Sequence, residues 1–136
     1  MVESKAWDWK MVEGDHRAHW LEPSEESYYL IDRWHKQNKK DFLDLGCGLG
    51  RHTLQFARAG FITSGFDLSE EAIARTRELV EAAGFEVDLE QGDMLELPYR
   101  DESFDCIICR NVISHSDTKG VRKIASELYR VLRDNG

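Results

Sequence analysis

The sequence predicts an α/β fold built on a parallel sheet, and three observations carry that expectation. From residue 41 onward, short apolar runs alternate with amphipathic stretches of helical period. That order places helices on the faces of a parallel sheet with right-handed crossovers. The first apolar run, Asp41-Phe42-Leu43-Asp44-Leu45, leads directly into a glycine-rich turn. The run from Phe104 to Cys109 is nearly all apolar, as in a strand covered on both faces.

Taken in order, residues 1–22 hold three of the four tryptophans (Trp7, Trp9, Trp20) among charges, with little periodicity. Pro23-Ser24-Glu25-Glu26 reads as a helix start, with Ser24 as N-cap and acids in the first turn. Leu30, Ile31 and Trp34 form that helix's apolar face, and the cations from Lys36 to Lys40 close it. Residues 1–40 are therefore expected to be an N-terminal helical cap and residues 41–136 the sheet domain. After the first strand, a helix from Arg51 to Ala59 buries Leu54, Phe56 and Ala57 and stops at Gly60. A second strand runs from Phe61 to Phe66. Ser69 caps a helix with Glu70 and Glu71 in its first turn, Ile73, Thr76, Leu79 and Val80 on its inner face, and Gly84 at its end. Phe85 to Leu89 alternates as a third, edge-type strand, and Phe104 to Cys109 is the fourth. Val121, Ile124, Ala125, Leu128, Val131 and Leu132 trace the last helix.

The 136 residues suit one domain, and 41% hydrophobic with 32% charged residues suits a folded one. The net charge is −8; residues 1–40 carry seven basic and eight acidic side chains, leaving eleven and eighteen for residues 41–136. No cluster of Lys and Arg tracks a phosphate backbone, which argues against long nucleic acid as a partner. No run approaches the roughly 18 apolar residues that span a bilayer. Met1-Val2-Glu3-Ser4-Lys5 lacks the charge-then-apolar order of a signal peptide. Three cysteines, an odd number, point to a reducing, cytoplasmic setting.

The turn Gly46-Cys47-Gly48-Leu49-Gly50 carries the most chemistry. Alternating glycines between a strand and a helix permit positive φ and close approach of a ligand to the backbone, which favours a nucleotide-type ligand over a plain tight turn. The dinucleotide fingerprint needs a third glycine where Arg51 stands, and the phosphate-cradling loop needs a Gly-Lys-Ser/Thr that is absent. Asp44, two residues before the first glycine, would repel a pyrophosphate and suits a ligand with an ammonium group. Asp67, 19 residues past Gly48 at the end of the second strand, stands where a ribose diol is gripped, or where it caps the next helix. Asp93 after the third strand suits an adenine amino group, with Met94 packing on the ring. The alternative for that pair is a turn acid and a gap-filling methionine.

Together, Asp44-Leu45-Gly46-Cys47-Gly48-Leu49-Gly50, Asp67-Leu68-Ser69, Gly92-Asp93-Met94 and Phe104-Asp105-Cys106-Ile107-Ile108 resemble successive motifs of class I S-adenosylmethionine-dependent methyltransferases, over residues 41–136. The resemblance implies a Rossmann-like three-layer sandwich with strand order 3-2-1-4. It implies S-adenosylmethionine as cofactor and S-adenosylhomocysteine as product. The glycine loop (Gly46, Cys47, Gly48, Gly50) would pack on the methionine part. Asp67 would bind the ribose hydroxyls, Leu68 would line the adenine, and Asp93 would meet its amino group. Asn111 and Val112 would lie beneath the sulfonium. Glu127 to Gly136 resembles the family's helix and turn into a fifth strand, so the pattern stops after four strands of the family's seven. A truncated domain is expected, with the fourth strand as an open edge suited to self-association.

Methyl transfer rests largely on positioning and exclusion of water. His115 is the best-placed base on the chain if the acceptor must lose a proton. Arg110-Asn111-Val112-Ile113 departs from the Asn/Asp-Pro-Pro-Tyr/Phe pattern of enzymes that methylate nucleobase or glutamine nitrogens, which lowers those substrate classes without naming another. Methyl transfer to a small molecule is the leading reading. An inactive cofactor-binding module is the first alternative and an NAD-type oxidoreductase the second. Arg51 and His52 are each a candidate for the cofactor carboxylate or a solvated helix-start residue. Cys106 and Cys109, three apart in a strand, point to opposite faces and cannot share a metal or a disulfide. His16 and His19 share a helix face without further ligands, so no metal site is expected.

Overall fold

The structure, a computed structural model, describes residues 22–109 and 118–136. Among these, α1 (Glu25–Lys36), β1 (Asp41–Leu45), α2 (Arg51–Arg58), β2 (Ile62–Asp67), α3 (Glu70–Ala82), β3 (Asp88–Gln91), β4 (Cys106–Cys109) and α4 (Thr118–Val131) follow one another. The four strands form one parallel sheet in the order β3-β2-β1-β4. This is the expected order, with β1 in the middle and its carboxyl end open to the connections on either side.

The two faces of the sheet are read from alternate residues of β1. Phe42 faces one layer, where it stacks on Phe56 of α2 at 3.8 Å between ring centroids and meets Trp34 of α1. Phe61, Cys106 and Ile31 complete this cluster. Leu43 and Leu45 face the other layer, with Phe66, Met94, Leu97, Phe104 and the α4 residues Ile124 and Val131. Burying each such side chain contributes about 1.5–3 kcal/mol, so the period-two pattern of one five-residue strand commits both layers. The same alternation separates the two cysteines of β4. Cys106 belongs to the Phe42 cluster and Cys109 packs against the opposite one. All three thiols of the chain are free, and no metal-type cluster occurs among the described residues.

Several element edges differ from the sequence reading, each through competition for a backbone amide. α2 and α3 both end in a left-handed glycine, Gly60 (φ 93°) and Gly84 (φ 83°). In both ends the next two amides turn back onto the helix: Gly60 onto Ala57 and Phe61 onto Phe56, Gly84 onto Glu81 and Phe85 onto Val80. This is the double-bonded glycine cap. It consumes the amides of Phe61 and Phe85, which therefore fall outside the strands; β2 starts at Ile62 and β3 at Asp88. Phe104 is likewise outside β4, because its amide donates to Val131 and it bridges Leu132 in parallel. α1 closes at Lys36 with Asn38 left-handed, so Lys39 and Lys40 fall beyond it. Leu54 is half-buried and Ala125 exposed, where both were expected inside.

Ion pairs hold the connections. Arg130 donates to the carbonyls of Leu97 (3.0 Å) and Tyr99 (2.7 Å), to Asp101 (2.9 Å) and to Glu127 (2.6 Å). Glu127 in turn accepts the Leu97 amide at 2.8 Å. The β3–β4 connection is thereby tied to α4. Arg133 bridges Asp41 (2.7 Å) and Asp105 (2.8 Å) at the opposite end of the sheet from the glycine turn.

Candidate cofactor site

The turn between β1 and α2 is held by backbone geometry that only glycine adopts easily. Gly46, Gly48 and Gly50 have φ of 77°, 58° and 90°, in the left-handed region costly for side-chain-bearing residues. The reversals bring the turn against the end of β2. The amides of Gly46 and Cys47 both donate to the Phe66 carbonyl, at 2.7 and 3.0 Å. The Gly48 amide donates to Asp67 Oδ2 at 3.0 Å, and the Gly50 amide returns to the Cys47 carbonyl at 2.9 Å. Four of the turn's amides are thus engaged inside the protein. A phosphate-cradling loop works by aiming such amides at the ligand, so this turn is not built as an anion nest.

Acids surround it. Asp44 is 2% exposed and accepts a 2.7 Å hydrogen bond from the hydroxyl of Thr53 in the first turn of α2. Burial pushes its carboxyl up to about 6, and the nearby charge of Asp67 pushes the same way, while Thr53 and the charge of Arg51 oppose. Asp67, 8% exposed, receives the Gly48 amide on one oxygen and the Ser69 amide on the other at 2.9 Å. Ser69 itself caps α3 by accepting the Ala72 amide at 3.2 Å. Asp67 therefore both shapes the helix start and reaches the glycine turn.

The turn after β3 contributes Asp93, one Oδ of which accepts the Leu95 amide at 2.9 Å. The neighbouring Gly92 amide donates to the Asp67 carbonyl at 3.0 Å, which holds the β3 end against the β2 end. Leu68 is half-buried beside Asp67. Met94, expected to pack on an adenine ring, is 5% exposed inside the main core. It belongs to the same core cluster as Leu43, Leu45 and Phe66. Cys47 is buried, and burial together with the acids pushes its thiol well above the ordinary range, so it is a small packing residue in the turn. Asn111, Val112 and His115 lie outside the described residues, as do Trp7, Trp9, His16, His19 and Trp20.

Four residues have roles the sequence pattern did not show. His52 is 4% exposed rather than solvated. Its Nε2 accepts the Ser24 amide at 3.2 Å and lies 3.2 Å from the Ser24 hydroxyl. This engagement is why Ser24, although at the N-cap of α1, makes no side-chain cap bond. Arg51 donates to the Glu22 carbonyl at 3.1 Å, so the segment entering α1 docks on the start of α2. Thr53 and Thr76 are fully buried. A buried threonine in an apolar helical stripe is the one signal that marks them, since its hydroxyl must find a partner.

Residues 42–136 match a family model described as a methyltransferase domain. Norajmaline N-methyltransferase of Rauvolfia serpentina is 35% identical over 95 residues, covering 68% of this chain and 32% of that enzyme. Among solved structures, the YcgJ protein of Bacillus subtilis superposes with a TM-score of 0.71 at 30% identity, over 88% of this chain and 48% of that one. The PH0226 protein of Pyrococcus horikoshii gives 0.77 at 27% identity, over 93% and 57%. The chain thus spans between about a third and three fifths of these relatives. With its parallel sheet, its glycine turn and the family model that runs across both, this chain belongs to the class I S-adenosylmethionine-dependent methyltransferases.

Proposed function

We propose that the site binds S-adenosylmethionine and that the protein transfers its methyl group to a small-molecule acceptor. The observation that carries the reading is the combination of consumed amides and convergent acids. The turn's amides are engaged with Phe66, Asp67 and Cys47, while Asp44 and Asp67 are both buried and the charge of Asp67 adds to the cost of ionising Asp44. Such a site fits a cationic ligand and penalises a diphosphate, which also disfavours the NAD-type alternative. Asp67 would accept the ribose hydroxyls, Asp93 the adenine amino group, and Asp44 would stand behind the turn on the side of the ligand's positive charge. Gly46, Gly48 and Gly50 would allow the chain to lie close to the ligand, and Leu68 would line the base. Asn111 and Val112 are proposed on the sulfonium side, and His115 as proton acceptor where the substrate needs one, on their positions in the chain after β4. When bound, the cofactor supplies a methyl group activated by its sulfonium.

Residues 1–40 are proposed as a cap. Its support is the pair of contacts from Arg51 and His52 to Glu22 and Ser24, which place the entry to α1 beside the glycine turn. The relative that methylates norajmaline, by its name, supports a small-molecule acceptor. No helix among the described residues is long and apolar enough to cross a membrane. A cytoplasmic setting is proposed on the three free cysteines. Self-association through β4 is proposed because β4 pairs only with β1 among the described residues; a monomeric mass in solution would count against it. Transfer of labelled methyl from S-adenosylmethionine to a panel of small amines and hydroxyl compounds tests the activity. Binding without transfer to any panel member, also in a chain extended beyond Gly136, would favour the cofactor-binding module instead.

A further inference from the structure

The Gly48 residue is gripped from both sides. Its amide donates to Asp67 Oδ2 at 3.0 Å, and its carbonyl accepts the Thr76 hydroxyl at 2.9 Å. These groups belong to successive peptide planes, so two planes at the apex of the turn are fixed by two different parts of the β2–α3 unit. Thr76 is fully buried on the inner face of α3. The Cys47 sulfur lies 3.6 Å from the same hydroxyl. Gly50 packs on the same residue so closely that a Cβ there would come within 3.0 Å of Thr76 Cγ2 and Oγ1 and 3.2 Å of its Cα. One side chain therefore touches three of the five residues of the turn. A valine of the same shape would fill the space without holding the carbonyl.

We infer that Thr76 is a positioning residue for the cofactor turn, setting the Gly48–Leu49 peptide so that the turn fits the amino-acid end of the ligand. This rests on the cofactor reading above. Its reach is local. Thr76 acts on the turn, whereas the adenosine end of the ligand would be held by Asp67, Leu68 and Asp93. A loss of the hydroxyl should therefore be felt by a ligand that carries the amino-acid part and much less by one that lacks it.

Calorimetry with S-adenosylhomocysteine and with 5′-methylthioadenosine, on wild type, Thr76→Val and Thr76→Ser, tests the assignment. A buried carbonyl left without its donor is expected to weaken S-adenosylhomocysteine about tenfold in Thr76→Val. 5′-Methylthioadenosine should stay within about twofold, and Thr76→Ser should stay close to wild type for both ligands. Equal weakening of both ligands in Thr76→Val would show a general structural effect and overturn the assignment, as would unchanged affinity. If Thr76→Val does not fold, Thr76→Ser decides through amide hydrogen exchange. Wild-type protection at Gly48 and Leu49 in the serine variant supports the assignment, and its loss overturns it. Failure of wild type to bind S-adenosylhomocysteine would overturn the cofactor reading itself, and this inference with it.

Discussion

Asp67 and Gly48, 19 residues apart, are joined by a 3.0 Å hydrogen bond from the turn amide to the carboxylate at the end of β2. The bond means that the acid assigned to the ribose also sets the shape of the glycine turn. Ligand contact and loop geometry are therefore not separable at this residue. Asp67→Ala removes acceptors for both Gly48 and Ser69, and hydrogen bonds to a charged group contribute roughly 1.5–3 kcal/mol each. The expected outcome is a loss on the order of 2 kcal/mol in S-adenosylhomocysteine affinity, about thirtyfold, with a lower melting temperature. Calorimetry with unchanged affinity would show that Asp67 does not touch the ribose.

The glycines of the chain differ in what they protect. Gly50 and Gly60 both have φ near 90°, but a Cβ at Gly60 meets nothing within 4 Å among the described residues, whereas one at Gly50 meets Thr76 at 3.0 Å. Gly60→Ala should cost about 1 kcal/mol, the backbone strain alone. Gly50→Ala should cost about 1–3 kcal/mol more through overpacking. Urea unfolding of the two variants measures the difference, and equal losses would mean that the turn does not press on α3.

Asp44 links stability to pH with a definite sign. Its folded-state carboxyl is pushed up to about 6 by burial, above the unfolded value near 4. The folded state holds the proton more tightly, so this contribution is complete below about pH 4 and is lost as pH rises through about 6. Asp44→Asn should therefore stabilise the ligand-free protein at pH 7, by on the order of 3 kcal/mol at most. The gain should vanish near pH 4. The same variant should weaken a cationic ligand, because the buried negative charge is gone. Melting curves from pH 4 to 8 check the first part, and a variant no more stable than wild type at pH 7 would contradict it.

Tyr99 offers a change that should help. Its ring packs edge-on to Phe104 at 4.9 Å and to Phe66 at 6.3 Å, while its hydroxyl is buried without a hydrogen-bond partner among the described residues. Tyr99→Phe keeps the packing and removes the orphaned group, so stability should be unchanged or raised by about 1 kcal/mol. A clear loss in thermal unfolding would mean that the hydroxyl has a role.

Much of this was legible in the sequence for a physical reason. β1 is fixed by five residues whose alternation serves both layers, and its bounds agree with the expected ones. The strand order followed from the family resemblance, and the acids at the strand ends stand where the motifs put them. The less legible parts depend on choices between competing partners. The amides of Phe61 and Phe85 go to helix caps rather than to strands, which no side-chain pattern reports. His52 and Met94 look polar-exposed and ligand-facing by type, yet His52 is sealed by the Ser24 contact and Met94 by the core. Thr76 reads as one more inner-face residue, and only the fold shows which carbonyl its hydroxyl meets.

On the proposed reading, this turn and its acids hold a cationic, adenosine-bearing ligand. Isothermal titration of the protein with S-adenosylhomocysteine and, separately, with NAD tests it most directly. The expected result is saturable binding of S-adenosylhomocysteine at micromolar concentrations and none of NAD. Absence of S-adenosylhomocysteine binding at high micromolar concentration, or preference for NAD, would contradict it.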